Sequence, residues 1–255
     1  MSDLLVERDG AVLRLTINRE ERRNALNDAV LTGMAEAIKD PGDSRVVLVA
    51  SAGERIFCAG ADLAVMSNDS TGLEQHEARG GVARLLDAMR ASPLPIVGRV
   101  QGLCLAGGVG VAMGCDVLIA SDAAAFGLPE VDRGLWPFMV SALLARHVSP
   151  KIAMDLMLSG RRMPAAEAQA VGLTSRVVPA ADLDREVEDL VSALAAKAPI
   201  AVRMGKAAYN AAQEMTLGPA LAAMQAQLSL LTQTADAAEG VAAFFEKRSP
   251  RWTGR

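Results

Sequence analysis

The chain is poor in aromatic rings, in histidine and in cysteine. Aromatic residues make up 3% of its 255 positions: five Phe, two Trp and one Tyr. Its core must therefore be built from Ala, Val, Leu and Met, with methionine filling irregular gaps. So few rings leave little for base stacking, and a formal net charge of −4 lacks the basic face that nucleic-acid binders use. The two histidines, His76 and His147, have no ligand-like spacing, and HExxH and GxSxG are absent. A surface or packing role fits each. Cys58, Cys104 and Cys115 form no CxxC pair and are odd in number, which argues for a reducing compartment rather than a disulfide framework. No apolar stretch reaches the roughly 18–20 residues of a membrane span, and the opening MSDLLVERDG is charged where a signal peptide is apolar. These absences predict a cytoplasmic, metal-free protein with no nucleic-acid or membrane partner.

One absence is local. No carboxylate lies between Asp87 and Asp116, yet this stretch contains GLCLAGGVGVAMGCD (102–116), with glycines at 102, 107, 108, 110 and 114. Any acid or base serving this loop must come from elsewhere.

The remaining composition is that of an ordinary globular protein, 51% apolar and 22% charged, long enough for one large or two small domains. LLVERDGAVLRLTIN reads as a hairpin around Asp9-Gly10. Asn27 is placed to cap a helix through DAVLTGMAEAIKD. RVVLVAS (45–51) is a continuous β-branched run typical of a strand buried on both faces, and PIVGRV (95–100) and DVLIAS (116–121) read as two more buried strands. LEQHEARGGVARLLDAMRAS reads as a helix with a weak point at Gly80-Gly81. Strands alternating with helices indicate an α/β fold. After about residue 126 the pattern turns helical, with starts and stops at Pro164, Gly172 and Asp182, and GLTSRVV (172–178) is the one further strand expected. Beyond Pro199 the chain is almost wholly helical and rich in Ala and Met, with apolar faces too generous for an isolated tail.

Two segments repeat one arrangement: a buried strand, a loop, then glycine before a helix. They are RVVLVASAGERIFCAGADL and PIVGRVQGLCLAGGVGVAMG. Each can point free N–H groups at a ligand, and two donors meeting at one oxygen form an oxyanion hole. The plain alternative is that the glycines serve only tight turns and close packing. A dinucleotide-binding turn at Gly108-x-Gly110-x-x-x-Gly114 fits poorly, because five residues separate Gly102 from Gly108 whereas that fingerprint starts directly after its strand.

INREERRNALN, FCAGADL, VQGLCLAGGVGVAMGCDVLIASDAAAFGLPEVDRGL and AAFFEKRSPRWTGR, in this order and spacing, resemble the enoyl-CoA hydratase/isomerase (crotonase) family over essentially the whole chain. The resemblance implies a spiral of ββα units carrying the CoA and active site (1–199), then a C-terminal helical region (200–255) that drives trimerisation, often as a dimer of trimers. It implies that the amides of Ala61 and Gly107 hold a thioester oxygen. Ala25, Ala59, Asp62 and Leu63 would lie along the CoA moiety, and Lys247 would approach the CoA phosphates from a neighbouring subunit. Asp62 also suits a helix first turn, and Lys247 a solvated helix end. No cofactor is implied beyond the CoA of the substrate.

Hydratases of the family use two glutamates. The second falls on Glu130, and the first falls on Gly110. Glu130 follows AAAFGLP, whose apolar walls are expected to raise its pKa. One carboxylate beside an oxyanion hole suits the transfer of a proton between carbons, so double-bond isomerisation is expected ahead of hydration. A non-catalytic acyl-CoA-binding oligomer is the alternative that Gly110 motivates. Asp132 and Arg133 are expected to form a surface pair, and Met66, Leu135, Trp136 and Phe138 to wall an acyl pocket or belong to the core.

Overall fold

The computed structural model describes residues 2–62 and 71–255. Its chain winds as a spiral in which each turn adds a strand to a large sheet, a strand to a small sheet, and a helix. Strands β1 (Leu4–Asp9) and β2 (Val12–Ile17) open it as an antiparallel hairpin, with Gly10 supplying the left-handed turn residue at φ 56°. Helix α1 (Asp28–Lys39) follows, and the Asn27 side chain accepts a hydrogen bond from Val30 N at its start. The turns of the spiral are β3 (Val46–Ser51), β4 (Ile56–Cys58) and α2 (Gly72–Ala91); then β5 (Ile96–Val100), β6 (Leu103–Leu105) and α3 (Gly107–Met113). The third comprises β7 (Val117–Ser121), β8 (Ala125–Gly127), a 3-10 turn at Val131–Arg133 and α4 (Phe138–His147). Helix α5 (Pro150–Ser159), strand β9 (Arg162–Pro164), helix α6 (Ala165–Ala170), strand β10 (Arg176–Val178) and helix α7 (Leu183–Ala195) lead to three last helices.

The large sheet has the order β1-β2-β3-β5-β7-β10, parallel throughout except for the opening hairpin. Its central strands β3, β5 and β7 are buried on both faces, which explains their mostly apolar sequences. Along β3, Val47 and Val49 enter the main core, while Val46 and Leu48 meet Leu183, Val187 and Val191 of α7 on the other side. Those three α7 residues recur every fourth position and make one stripe. The small sheet, β4-β6-β8-β9, consists of three-residue strands. None of the four was foreseen as a strand, because three residues carry too little periodicity to register. The helix suggested over 163–172 forms at Ala165–Ala170, while Met163 and Pro164 instead end β9, which closes the small sheet antiparallel to β8.

Two glycine positions have definite packing reasons. Helix α2 runs through Gly80-Gly81 without a break. A Cβ on Gly81 would lie 3.0 Å from Leu31 Cδ1 of α1, so the expected weak point is where two helices approach closely. At the corner between β5 and β6, a side chain on Gly102 would strike the Arg55 carbonyl.

Helices α8 (Pro199–Ala212), α9 (Leu217–Leu231) and α10 (Ala235–Glu246) complete the chain. Lys206 of α8 fastens them to the spiral, donating to Leu94 O at 2.7 Å and pairing with Asp116 at 2.6 Å. The tail after α10 folds back onto Asp236, a carboxylate only 1% exposed. It accepts hydrogen bonds from Thr253 N (2.6 Å), Thr253 Oγ1 (3.0 Å) and Gly254 N (3.1 Å). Asp236→Ala is expected to lower stability by about 2 kcal/mol, since hydrogen bonds to a charged group are lost. Urea denaturation measures the loss, and faster proteolysis of residues 250–255 would accompany it.

Candidate active site

Strands β4, β6 and β8 lie side by side and parallel, so their carboxyl ends emerge along one edge. Ligands of parallel sheets gather at that edge. Three segments leave it: Ala59-Gly60-Ala61 after β4, Ala106-Gly107 after β6, and Leu128-Pro129-Glu130 after β8. A hydrogen bond from Ala106 N to Gly127 O (2.9 Å) ties the second to the third.

The direction of the Ala61 amide follows from its peptide plane. Leu26 N–H donates to Gly60 O at 2.8 Å, and Asp62 N–H donates to Leu26 O at 2.9 Å, forming the Leu26–Ala61 bridge. In a trans peptide the N–H points opposite to the carbonyl. With Gly60 O turned to Leu26, Ala61 N–H faces away from that bridge, and no acceptor takes it among the described residues. Gly107 repeats the logic. The carbonyl of Ala106 accepts from Val109 N at 2.9 Å inside α3, leaving Gly107 N–H aimed out of the helix. Ala106 adopts φ 53°, ψ −126°, a conformation uncommon outside glycine.

The two amides are neighbours. A Cβ built on Gly107 would lie 3.5 Å from Ala61 N, which puts the two nitrogens no more than about 6 Å apart. Donors each roughly 3 Å from one oxygen have that separation or less. Gly60, at φ 99°, makes this approach possible: a Cβ there would sit 2.6 Å from Ala106 Cβ and 3.2 Å from Gly107 N.

Glu130 is half-buried, and its Oε2 is sealed from solvent without a hydrogen-bond partner among the described residues. Burial raises its pKa above the ordinary glutamate value; its own backbone amide and the Arg133 charge pull more weakly the other way. Asp132 and Arg133 form no pair with one another. The Arg133 guanidinium donates to Pro129 O at 3.0 Å, and the Asp132 carboxylate lies over Gly160 at the end of α5. Adjacent positions in this tight 3-10 turn send their side chains apart.

The remaining glycines of the 102–116 stretch serve packing. A Cβ on Gly108 would meet Cys58 at 2.7 Å, and one on Gly114 would meet Met89 Sδ at 2.8 Å. At Gly110 it would lie 3.1 Å from Val140 Cγ2 and 3.6 Å from Leu86 Cδ1. Side chains crowd each of these three positions. Cys58 is fully buried and its thiol is pushed up to about 12, so at neutral pH it is protonated and no nucleophile.

The other sequence candidates fall into three groups. Ala25 and Ala59 flank the Leu26–Ala61 bridge, and Asp62 follows it. Asp62 Oδ2 accepts from both terminal nitrogens of Arg19 at 3.1 Å. Lys247 ends α10 in a left-handed conformation, φ 55°, and is exposed; no hydrogen bond links it to this edge among the described residues. Leu63 and Met66 lie outside the described residues, as does the start of the helix expected after Asp62. Of the proposed pocket walls, Phe138 is 72% exposed and Leu135 39%, whereas Trp136 packs against the main core. Arg19 was missed as a site residue. It lies within the family-like segment INREERRNALN, but nothing in the sequence told it from the other arginines there.

The ββα spiral is the crotonase fold. A crystal structure described as enoyl-CoA hydratase from Mycobacterium smegmatis matches it with a TM-score of 0.93 and 33% identity over 98% of each chain. The chain belongs to the enoyl-CoA hydratase/isomerase family, whose sequence profile matches residues 7–255. It is 39% identical to a probable enoyl-CoA hydratase, echA8, of Mycobacterium bovis, covering 99% of this chain and 98% of that one. It is 36% identical to the 2,3-dehydroadipyl-CoA hydratase of Escherichia coli K12 over the full length of both. The protein is accordingly an enzyme of that family. No described helix is long and apolar enough to cross a membrane.

Proposed function

We propose that this enzyme binds an acyl-CoA thioester with its carbonyl oxygen between the amides of Ala61 and Gly107, and that Glu130 alone moves the proton. The observation that carries this reading is the meeting of the two outward amides at the strand edge from which Glu130 also leaves. With a 3-enoyl-CoA bound, the Glu130 carboxylate takes a proton from the carbon next to the carbonyl. The electron pair moves onto the thioester oxygen, where the two amides stabilise it. The dienolate then recovers the same proton two carbons further along, giving a 2-enoyl-CoA and restoring the carboxylate. Nothing is gained or lost in the cycle.

Isomerisation is favoured over hydration because the side chains of Val140 and Leu86 crowd Gly110, so that position supplies no carboxylate to orient water. The relatives named above carry hydratase names, so hydration is the competing outcome. Ala25, Ala59, Asp62 and Leu63 are assigned to the CoA moiety. Lys247 of a neighbouring copy is assigned to its phosphates. The exposed Leu217, Leu221, Leu228, Phe244 and Phe245 support assembly of α9 and α10 into a homotrimer or a dimer of trimers.

The test offers purified protein matched 3-enoyl-CoA and 2-enoyl-CoA substrates. The proposal expects faster conversion of the first. Faster hydration of the second would assign the protein to the hydratases instead. CoA binding without turnover of either thioester would favour a non-catalytic binding oligomer.

A further inference from the structure

We propose that Arg19 is a positioning residue: by gripping Asp62 and the Ala25 carbonyl together, its guanidinium sets the direction in which the Ala61 amide meets the substrate oxygen. The inference rests on the oxyanion reading above and adds to it a residue with no contact to substrate.

Arg19 is 8% exposed. Its Nη1 donates to Ala25 O at 2.6 Å and to Asp62 Oδ2 at 3.1 Å, and Nη2 donates to the same carboxylate oxygen at 3.1 Å. Nε lies 3.2 Å from Asp3 Oδ2, and Asp3 in turn accepts from the Asn27 side chain at 2.6 Å. The backbone holding Arg19 is itself fixed. Arg19 N donates to Asn24 Oδ1 at 3.0 Å, and Asn24 Nδ2 donates to Ala52 O and Ile56 O, both at 2.9 Å. Arg23 and Asn24 take left-handed conformations, φ 55° and 53°, which such a network must hold in place. Arg19 thus belongs to a platform joined to β3 and β4.

Ala61 lacks any comparable support. It is exposed, and its methyl group offers little packing. On its N-terminal side, the Gly60 carbonyl is held by Leu26 N–H. On its C-terminal side, the holds are the Asp62 amide on Leu26 O and the Asp62 side chain on Arg19. A rotation of the Gly60–Ala61 peptide must disturb one of these. The Arg19–Asp62 contact is made by side chains, and a planar, permanently charged fork suits it better than a flexible ammonium. Arg19 also offsets the negative charge of Asp62, one residue from the amide where enolate charge develops.

The experiment reads the amide through the substrate carbonyl. An aromatic 2-enoyl-CoA, a 3-phenyl-2-enoyl thioester, absorbs at longer wavelength when its carbonyl is polarised by hydrogen bonds. The wild-type enzyme is expected to shift its band to the red. Arg19→Met should shrink the shift and lower kcat for a 3-enoyl-CoA by about 10²-fold, because misplacement by about an ångström costs that much. Arg19→Lys should recover part of both effects. A full shift in Arg19→Met overturns this inference alone. No shift in the wild type overturns the oxyanion reading and this inference with it. Should Arg19→Met fail to fold, Asp62→Asn, nearly isosteric, is read by the same band, with a reduced shift expected and a full shift overturning the proposal.

Discussion

Glu130→Gln is expected to lower the isomerisation of a 3-enoyl-CoA by about 10²–10⁴-fold, the usual contribution of a positioned acid–base group. Glutamine keeps the shape and removes the proton-accepting oxygen, so thioester binding should change little and the loss should fall on kcat. The carboxylate that acts as base must be ionised, and burial raises its pKa. Activity in the wild type should therefore fall with decreasing pH at a point above the ordinary glutamate range. The sign for stability is opposite. A carboxyl group whose folded pKa is raised favours the folded state when protonated. Its stabilising contribution, complete below the unfolded value, fades as pH rises through the folded value. Above its raised pKa the ionised Glu130, with one oxygen buried and without a hydrogen-bond partner among the described residues, opposes folding, and there Glu130→Gln should melt no lower than the wild type. A glutamine enzyme of full activity would show that the proton moves elsewhere. So would an acid limb at the ordinary glutamate value.

The second large effect belongs to a residue without a side chain. Gly60→Ala should reduce kcat by about 10²–10³-fold, the scale of losing one oxyanion-hole donor. A methyl group there would need to fit 2.6 Å from Ala106 Cβ while the backbone holds φ 99°. Backbone strain of this kind costs on the order of 1–3 kcal/mol. Ala106 is already in an uncommon conformation, so the simplest relief is for the two segments to move apart. That movement separates the Ala61 and Gly107 amides. Steady-state kinetics on a 3-enoyl-CoA, with the aromatic thioester band as a second measure, would record it: kcat and the red shift should fall together. Activity close to wild type would mean that the two amides do not act as a pair.

Much of this was legible in the order of residues. The three long strand runs were evident because strands buried on both faces are mostly apolar, as β3, β5 and β7 are. Asn27 could be recognised as a cap because its side chain need reach only three residues along the chain. Glu130 was singled out by the family resemblance, while the carboxylate-free run 88–115 showed only that the glycine loop supplies no acid or base. The short strands β4, β6, β8 and β9 were not legible, since each is made by pairing with a neighbour remote in sequence. Yet the parallel run of the first three brings Ala61, Gly107 and Glu130 to one edge.

The glycines divide the same way. Their density between 102 and 114 suggested a backbone close to a ligand. Contacts with Cys58, Val140, Leu86 and Met89 show that Gly108, Gly110 and Gly114 serve helix packing, and Gly107 presents its amide beside that of Ala61. Arg19 marks the limit most clearly. A buried arginine and an exposed one are the same letter until Asp62, forty-three positions later, is folded against it.

From its sequence alone this protein had its family, its α/β alternation and its one candidate acid–base residue, because those depend on local pattern and residue type. Which amides face outward, how near they stand, and what holds them were decided only in the folded chain. Peptide-plane directions are set by hydrogen bonds between segments far apart in sequence, and no local pattern encodes such partners.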